Sequence, residues 1–189
     1  LVSEAVGTLV PLEDLRWIAF GHIEADECGS MNQFLAAAPG AQITHGALGC
    51  MVSLNDMADR PPVPLEDGQV IELGSHRVRH IDTPHVPHGW EARLIFDETT
   101  GTLFCGDLMT QLGEADPLVD NDVLAAAAVA EDMFGATCLT PATAPTIRRL
   151  ADLGATTLAT MHGSAFNGDA SAALNALADS YDERLLVAG

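Results

Sequence analysis

Apolar and polar positions along this chain fall into short runs separated by turn residues, with both the twofold and the 3.6-residue periods present. Arg16-Trp17-Ile18-Ala19-Phe20 predicts a short buried strand that runs into a polar loop, Gly21 to Gly29. Ser30 with Gln33 three residues on has the form of a capping box. It opens a helix through about Ala38, which Pro39-Gly40 ends. Ala41 to Thr44 predicts another strand, and residues 46–58 a helix. Arg60-Pro61-Pro62-Val63-Pro64 is expected to be a rigid connector, and Glu66-Asp67-Gly68 a turn. Strands are predicted at Val70–Leu73, Arg77–Ile81, Arg93–Phe96 and Thr102–Cys105, with turns at Gly74-Ser75 and Glu98-Thr99-Thr100-Gly101. The second half changes character. A helix capped by Asp120 or Asn121 runs to about Phe134, and a second opens at Thr140-Pro141 and runs to about Leu153. A strand follows at Thr156–Thr160, and an amphipathic helix at Ser171–Leu186. Strands with helices on their outer faces predict a layered α/β architecture, read as one domain over residues 1–189.

Composition narrows the class. Apolar residues make up 48% of the chain and charged residues 19%, a globular balance. The net charge is −19, and all 8 basic residues are arginines. So acidic a surface repels phosphate, which argues against nucleic acid and anionic membranes as partners. The absence of lysine excludes a lysine Schiff base. No apolar run approaches the roughly 18 residues needed to span a bilayer. Cys28, Cys50, Cys105 and Cys138 form no C-x-x-C pair and are expected to be free thiols in a reducing cytoplasm.

The chemistry lies at strand ends. His22-x-Glu24-x-Asp26 follows the first predicted strand, and alternation in an extended segment turns residues two apart to the same side. Asp82-Thr83-Pro84-His85-Val86-Pro87-His88 follows another strand. Phe104-Cys105-Gly106-Asp107 ends a third and Thr160-Met161-His162-Gly163 a fourth. Strand ends are rigid enough to hold a metal site to the accuracy it needs.

These segments, over roughly residues 16–185, resemble the metallo-β-lactamase superfamily, and within it the flavodiiron, oxygen-binding diiron branch. That branch carries H-x-E-x-D where the hydrolase branches carry H-x-H-x-D-H. The resemblance implies a metallo-β-lactamase-like αβ/βα layered sandwich, here lacking some N-terminal strands. It also implies a dinuclear centre in which His22, Glu24 and His85 bind one iron, Asp26 and His162 bind the other, and Asp107 bridges both. His85 is preferred over His88 because His85-Val86-Pro87 fits the family's His-x-Pro phrase. Glu27 stands where many relatives have a histidine. It is either a ligand of the second metal or leaves that position to water. Glu24 in place of a histidine makes the donor set harder, which suits two iron ions, or manganese, better than zinc.

The implied function is a diiron protein that binds or reduces dioxygen or nitric oxide. Only 27 residues follow His162, so no FMN site is expected in the chain, and electrons would come from an external flavin or rubredoxin-like donor. A homodimer is the expected assembly. The alternatives are a non-enzymatic oxygen sensor and a dizinc hydrolase of an ester, lactone or thioester. Among the other residues, His45 is expected at the surface, His76 and His80 in structural or exposed hairpin positions, and Trp90 and Tyr181 in the core. The thiols of Cys28 and Cys105 are expected to pack rather than coordinate.

Overall fold

The computed structural model describes residues 1–188. Among these residues ten strands form two sheets. The smaller is parallel, ordered β1 (Trp17–Ile18), β2 (Gln42–Gly46), β3 (Val63–Leu65). The larger is mixed and contains β4 (Val70–Leu73), β5 (His76–Asp82), β6 (Arg93–Asp97), β7 (Thr102–Gly106), β8 (Leu118–Val119), β9 (Thr157–Thr160) and β10 (Ala165–Phe166). Its order is β4-β5-β6-β7-β9-β10-β8.

Alternation explains why the larger sheet buries both faces. On β6, Leu94 and Phe96 point into a core shared with Leu103, Leu158, Ile147 and Leu174. Arg93 and Ile95 point the other way, across a small gap of about 60 Å³ toward Trp17, Ala19, Thr44 and Leu65 of the smaller sheet's side. The helix Thr143–Ala151 covers the larger sheet by burying Thr143, Ala144, Ile147, Leu150 and Ala151, one stripe at helical spacing. Arg148 and Arg149 lie off that stripe and pair with Asp179, Asp182 and Asp67. The helix Met31–Ala37 covers the smaller sheet with Met31 and Leu35, packed with Phe20, Ile43 and Leu54. The result is helix, sheet, sheet, helix, the layered sandwich expected.

Several local expectations change. Val63–Leu65 is a strand; it forms the edge of the smaller sheet, where the missing N–H of Pro64 is tolerated. β8 and β10 are two-residue strands too short to carry a period. Residues 47–57 are helical as expected, with a π-helical segment at Cys50–Leu54. Ser30 stands at the N-cap but its side chain makes no capping bond. No helix among the described residues is long and apolar enough to cross a membrane.

Candidate metal centre

Topology brings the chemical residues to one edge. β7 and β9 are parallel neighbours with Gly106 opposite Thr160, so Asp107 and His162 emerge side by side. β5 is antiparallel to β6, and β6 to β7, so β5 ends on the same edge and feeds the Thr83–Gly89 turn. The Gly21–Cys28 segment, whose last four residues form the short helix Ala25–Cys28, folds over this edge. It is tied down by the Arg93 N–H, which donates to the Gly21 carbonyl at 2.9 Å, and by Glu91, whose carboxylate accepts from the Ile23 N–H at 3.1 Å.

His22, Glu24, His88 and Asp107 converge, each offering a donor atom within 4.8 Å of the others. Nε2 of His22 and Nε2 of His88 are 3.0 Å apart. The Glu24 carboxylate reaches them at 3.5 and 3.2 Å, and Oδ2 of Asp107 lies 3.7 Å from both. A metal with N and O ligands about 2.0–2.2 Å away keeps neighbouring donors roughly 3.0–3.6 Å apart. The group is therefore close to a ready coordination shell. Asp107 faces two ways. Its Oδ1 is 3.4 Å from Nε2 of His162, which is itself 3.2 Å from Oδ2 of Asp26. Oδ1 of Asp107 and Nδ1 of His88 are buried without a hydrogen-bond partner among the described residues. Burial pushes the Asp107 carboxyl up from its usual range despite the neighbouring imidazoles. A half-buried carboxylate with one oxygen left unpartnered is suited to a cation.

One expectation is corrected here, and one left open is narrowed. His85 does not join the group and His88 does. Val86, almost fully buried, takes the inward place in the turn, fixed by the Val86 N–H donating to Thr83 at 2.8 Å and by the Thr83 hydroxyl donating back to Val86 at 2.9 Å. His85 adopts a left-handed backbone (φ 65°) and is exposed. The chain then turns back, and His88 enters the group. Glu27 turns away from the Asp26–His162 side. Its Oε1 lies 2.9 Å from Nδ1 of His22, and its Oε2 accepts from the Gly21 and His22 N–H groups. A Cβ on Gly21 or Gly106 would come within 3.0 or 3.2 Å of this carboxylate, so both glycines leave it room. Burial disfavours a charged His22, but the hydrogen bond to Glu27 and the charges of Glu27, Asp107 and Glu24 outweigh it, raising its pKa to about 9.

The remaining residues sort as follows. His45 is fully buried against Phe20, not at the surface, and burial with Arg93 and His80 nearby lowers its pKa to about 3. His80 is buried, and His76 pairs with Asp97 at 2.7 Å. Trp90 is exposed and lies outside the site. Cys28, Cys50 and Cys105 are buried free thiols, and burial pushes Cys105 up to about 12. A cavity of about 730 Å³ opens from Glu24, His88, Asp107 and His162. Its far wall escaped the sequence reading: the buried Tyr181, whose hydroxyl lies 2.8 Å from that of Thr137, which in turn is 2.8 Å from Glu131. No local pattern links these three, which come from separate segments.

Comparison with known proteins follows the same lines. The fold superposes on a structure described as the peroxy diiron species of chemotaxis sensor ODP, with a TM-score of 0.78, 19% identity, and coverage of 97% of this chain and 81% of that one. For the apo state of chemotaxis sensor ODP from T. denticola the values are 0.77, 19%, 93% and 73%. For rubredoxin oxygen:oxidoreductase from the anaerobe Desulfovibrio gigas they are 0.75, 16%, 92% and 46%, so this chain spans under half of that enzyme. No curated protein sequence matches the chain. At these identities the likenesses establish the metallo-β-lactamase-like fold. The family model described as ODP family beta lactamase matches residues 1–163, most of the sequence, and the chain belongs to that family.

Proposed function

We propose that this chain is a diiron protein whose centre binds dioxygen or nitric oxide and reduces it when an external donor supplies electrons. The observation that carries the reading is Glu24, a carboxylate placed between two imidazoles where its oxygens lie 3.5 Å from His22 and 3.2 Å from His88. With Asp107 opposite, the donor set is half carboxylate, which favours iron or manganese over zinc. In this reading His22, Glu24, His88 and Asp107 hold one ion, and Asp26 and His162 share Asp107 in holding the other. Two ferrous ions would supply electrons to a bound diatomic molecule.

The protein's part is to orient and to compensate charge. Oε1 of Glu27 lies 2.9 Å from Nδ1 of His22, a carboxylate partner that would hold the proton on Nδ1 and leave Nε2 as the ligating nitrogen once a cation displaced its proton. Asp107 presents one oxygen to each half of the site. Carboxylates on both sides offset the added positive charge when iron is oxidised. The donor would be a flavin or a rubredoxin-like protein, and a cytoplasmic homodimer is the form we propose, consistent with three buried free thiols.

A sensing role is the second reading. It is supported by the 81% coverage of the chemotaxis sensor ODP. A dizinc hydrolase is the third, favoured by a cavity of about 730 Å³, far roomier than a diatomic molecule requires. Metal analysis of protein purified without added metal tests the proposal. Iron or manganese supports it, whereas zinc with negligible iron or manganese contradicts it. Anaerobic reduction followed by air then separates the first two readings. A long-lived oxygen-bound species indicates a sensor, and rapid turnover with an added donor indicates a reductase. Hydrolysis of an ester or lactone panel by zinc-loaded protein would favour the third.

A further inference from the structure

Arg93 opens β6 with its side chain in the gap between the sheets, almost completely buried. Its Nε donates to the Phe20 carbonyl at 2.8 Å and its Nη2 to the Thr44 carbonyl at 2.8 Å. Its Nη1 lies 3.0 Å from Nδ1 of His80. A guanidinium only donates, so Nδ1 of His80 is the acceptor and the proton of that neutral ring sits on Nε2, 2.7 Å from Oδ1 of Asp82. The Arg93 N–H donates to the Gly21 carbonyl at 2.9 Å.

These partners share one property. Phe20 and Gly21 directly precede His22. His80 and Asp82 lie on β5, which runs into the turn carrying His88. Thr44 belongs to β2, the neighbour of β1. One buried side chain thus ties together the two arms that bring Nε2 of His22 and Nε2 of His88 to 3.0 Å.

We infer that Arg93 is a positioning residue for the metal centre, holding the smaller sheet against β5 so that His22 and His88 face the same point. The inference rests on reading His22, Glu24, His88 and Asp107 as metal ligands. A lysine has a single compact head group and cannot span acceptors spread around a planar fork. A methionine fills the space and bonds none of them.

The test is a cobalt(II) titration of the metal-free full chain, following the ligand-field bands and competing with a chelator. Wild type, Arg93→Met, Arg93→Lys and His80→Leu are compared, with thermal unfolding of each metal-free chain recorded alongside. The expected result is a folded R93M chain that binds cobalt at the His22–His88 position about 10–100-fold more weakly, the loss typical of groups that orient ligands, with shifted bands and partial recovery in R93K. A purely structural role would lower the unfolding temperature and leave bands and affinity unchanged in the folded chain. That outcome overturns the inference. If R93M does not fold, R93K and H80L are judged on the same two quantities, and wild-type values in both overturn it equally. Wild type taking up no cobalt would instead refute the metal-centre reading itself, and the role of Arg93 with it.

Discussion

The two halves of the site are built differently. On one side His22 and Glu27 are enclosed, with side chains 4% and 1% exposed, and the loop that carries them is bound to β6 through Gly21. On the other side His162 and Asp26 are 43% and 51% exposed and lean chiefly on each other and on Asp107. On the proposed assignment the His22 side is the more preorganised: Glu27 and the Gly21 tether hold that imidazole in place in the metal-free chain, so less ordering would oppose binding. The cavity touches both halves, through Glu24 and His88 as well as Asp26 and His162, and the exposed Asp26 and His162 would have to order on binding. On the proposed assignment, the His22 half would fix the position of the centre and the His162 half would be the side open to exchange.

The harshest way to break this contrast is Asp107→Ala. Both halves share its carboxylate, so metal content should fall from two ions per chain to none at moderate affinity, measured by elemental analysis after dialysis. Retention of one tightly held ion would show that the halves do not depend on a common bridge. His88→Ala comes next and should remove the enclosed ion, whereas His85→Ala should leave metal content at the wild-type level. The reverse pattern would mean that the sequence phrase, not the turn, identifies the ligand.

The enclosed half also has an internal weakness to acid. His45 beneath it has a folded pKa lowered to about 3, from an unfolded value of 6.5. Its contribution is therefore fully present above pH 6.5 and is lost progressively as pH falls toward 3, because the unfolded chain takes up a proton that the folded chain refuses. At roughly 1.4 kcal/mol per unit the loss is about 3–5 kcal/mol. Chemical denaturation of the metal-free chain at pH 7 and pH 4 should show a smaller drop for His45→Leu than for wild type. Equal drops would remove His45 from the account. Glu27→Gln sharpens the comparison most finely. It should weaken the enclosed ion about 10–100-fold while leaving the His162 side unchanged, and isothermal titration resolves the two. An equal loss at both positions would mean that Glu27 does not belong to one half alone.

Much of this was legible in the sequence. The strand ends carrying His22, Glu24, Asp107 and His162 stand out because an apolar run stops at a lone ligand-type residue; His22, Glu24 and Asp107 lie in one group, and His162 lies 3.4 Å from Asp107. What was not legible depends on contacts remote in sequence. The choice between His85 and His88 is made by Val86 packing inward, which three residues of local pattern do not reveal. Glu27 points at His22 because Gly21 and Gly106 have no side chain to exclude it, and Gly106 is 79 positions away. Arg93 read as the polar start of a strand. Only the fold shows that β6 is buried on both faces, which leaves an arginine there no route to solvent. Tyr181, Thr137 and Glu131 meet only through the packing of separate helices and loops.

The most direct measurement is anomalous scattering from crystals of protein purified without added metal, recorded at the iron and zinc edges. The account predicts two iron peaks, one enclosed by His22, Glu24, His88 and Asp107 and the other between Asp107, Asp26 and His162. Zinc at both positions, or a metal bound by His85 with His88 turned away, would contradict it.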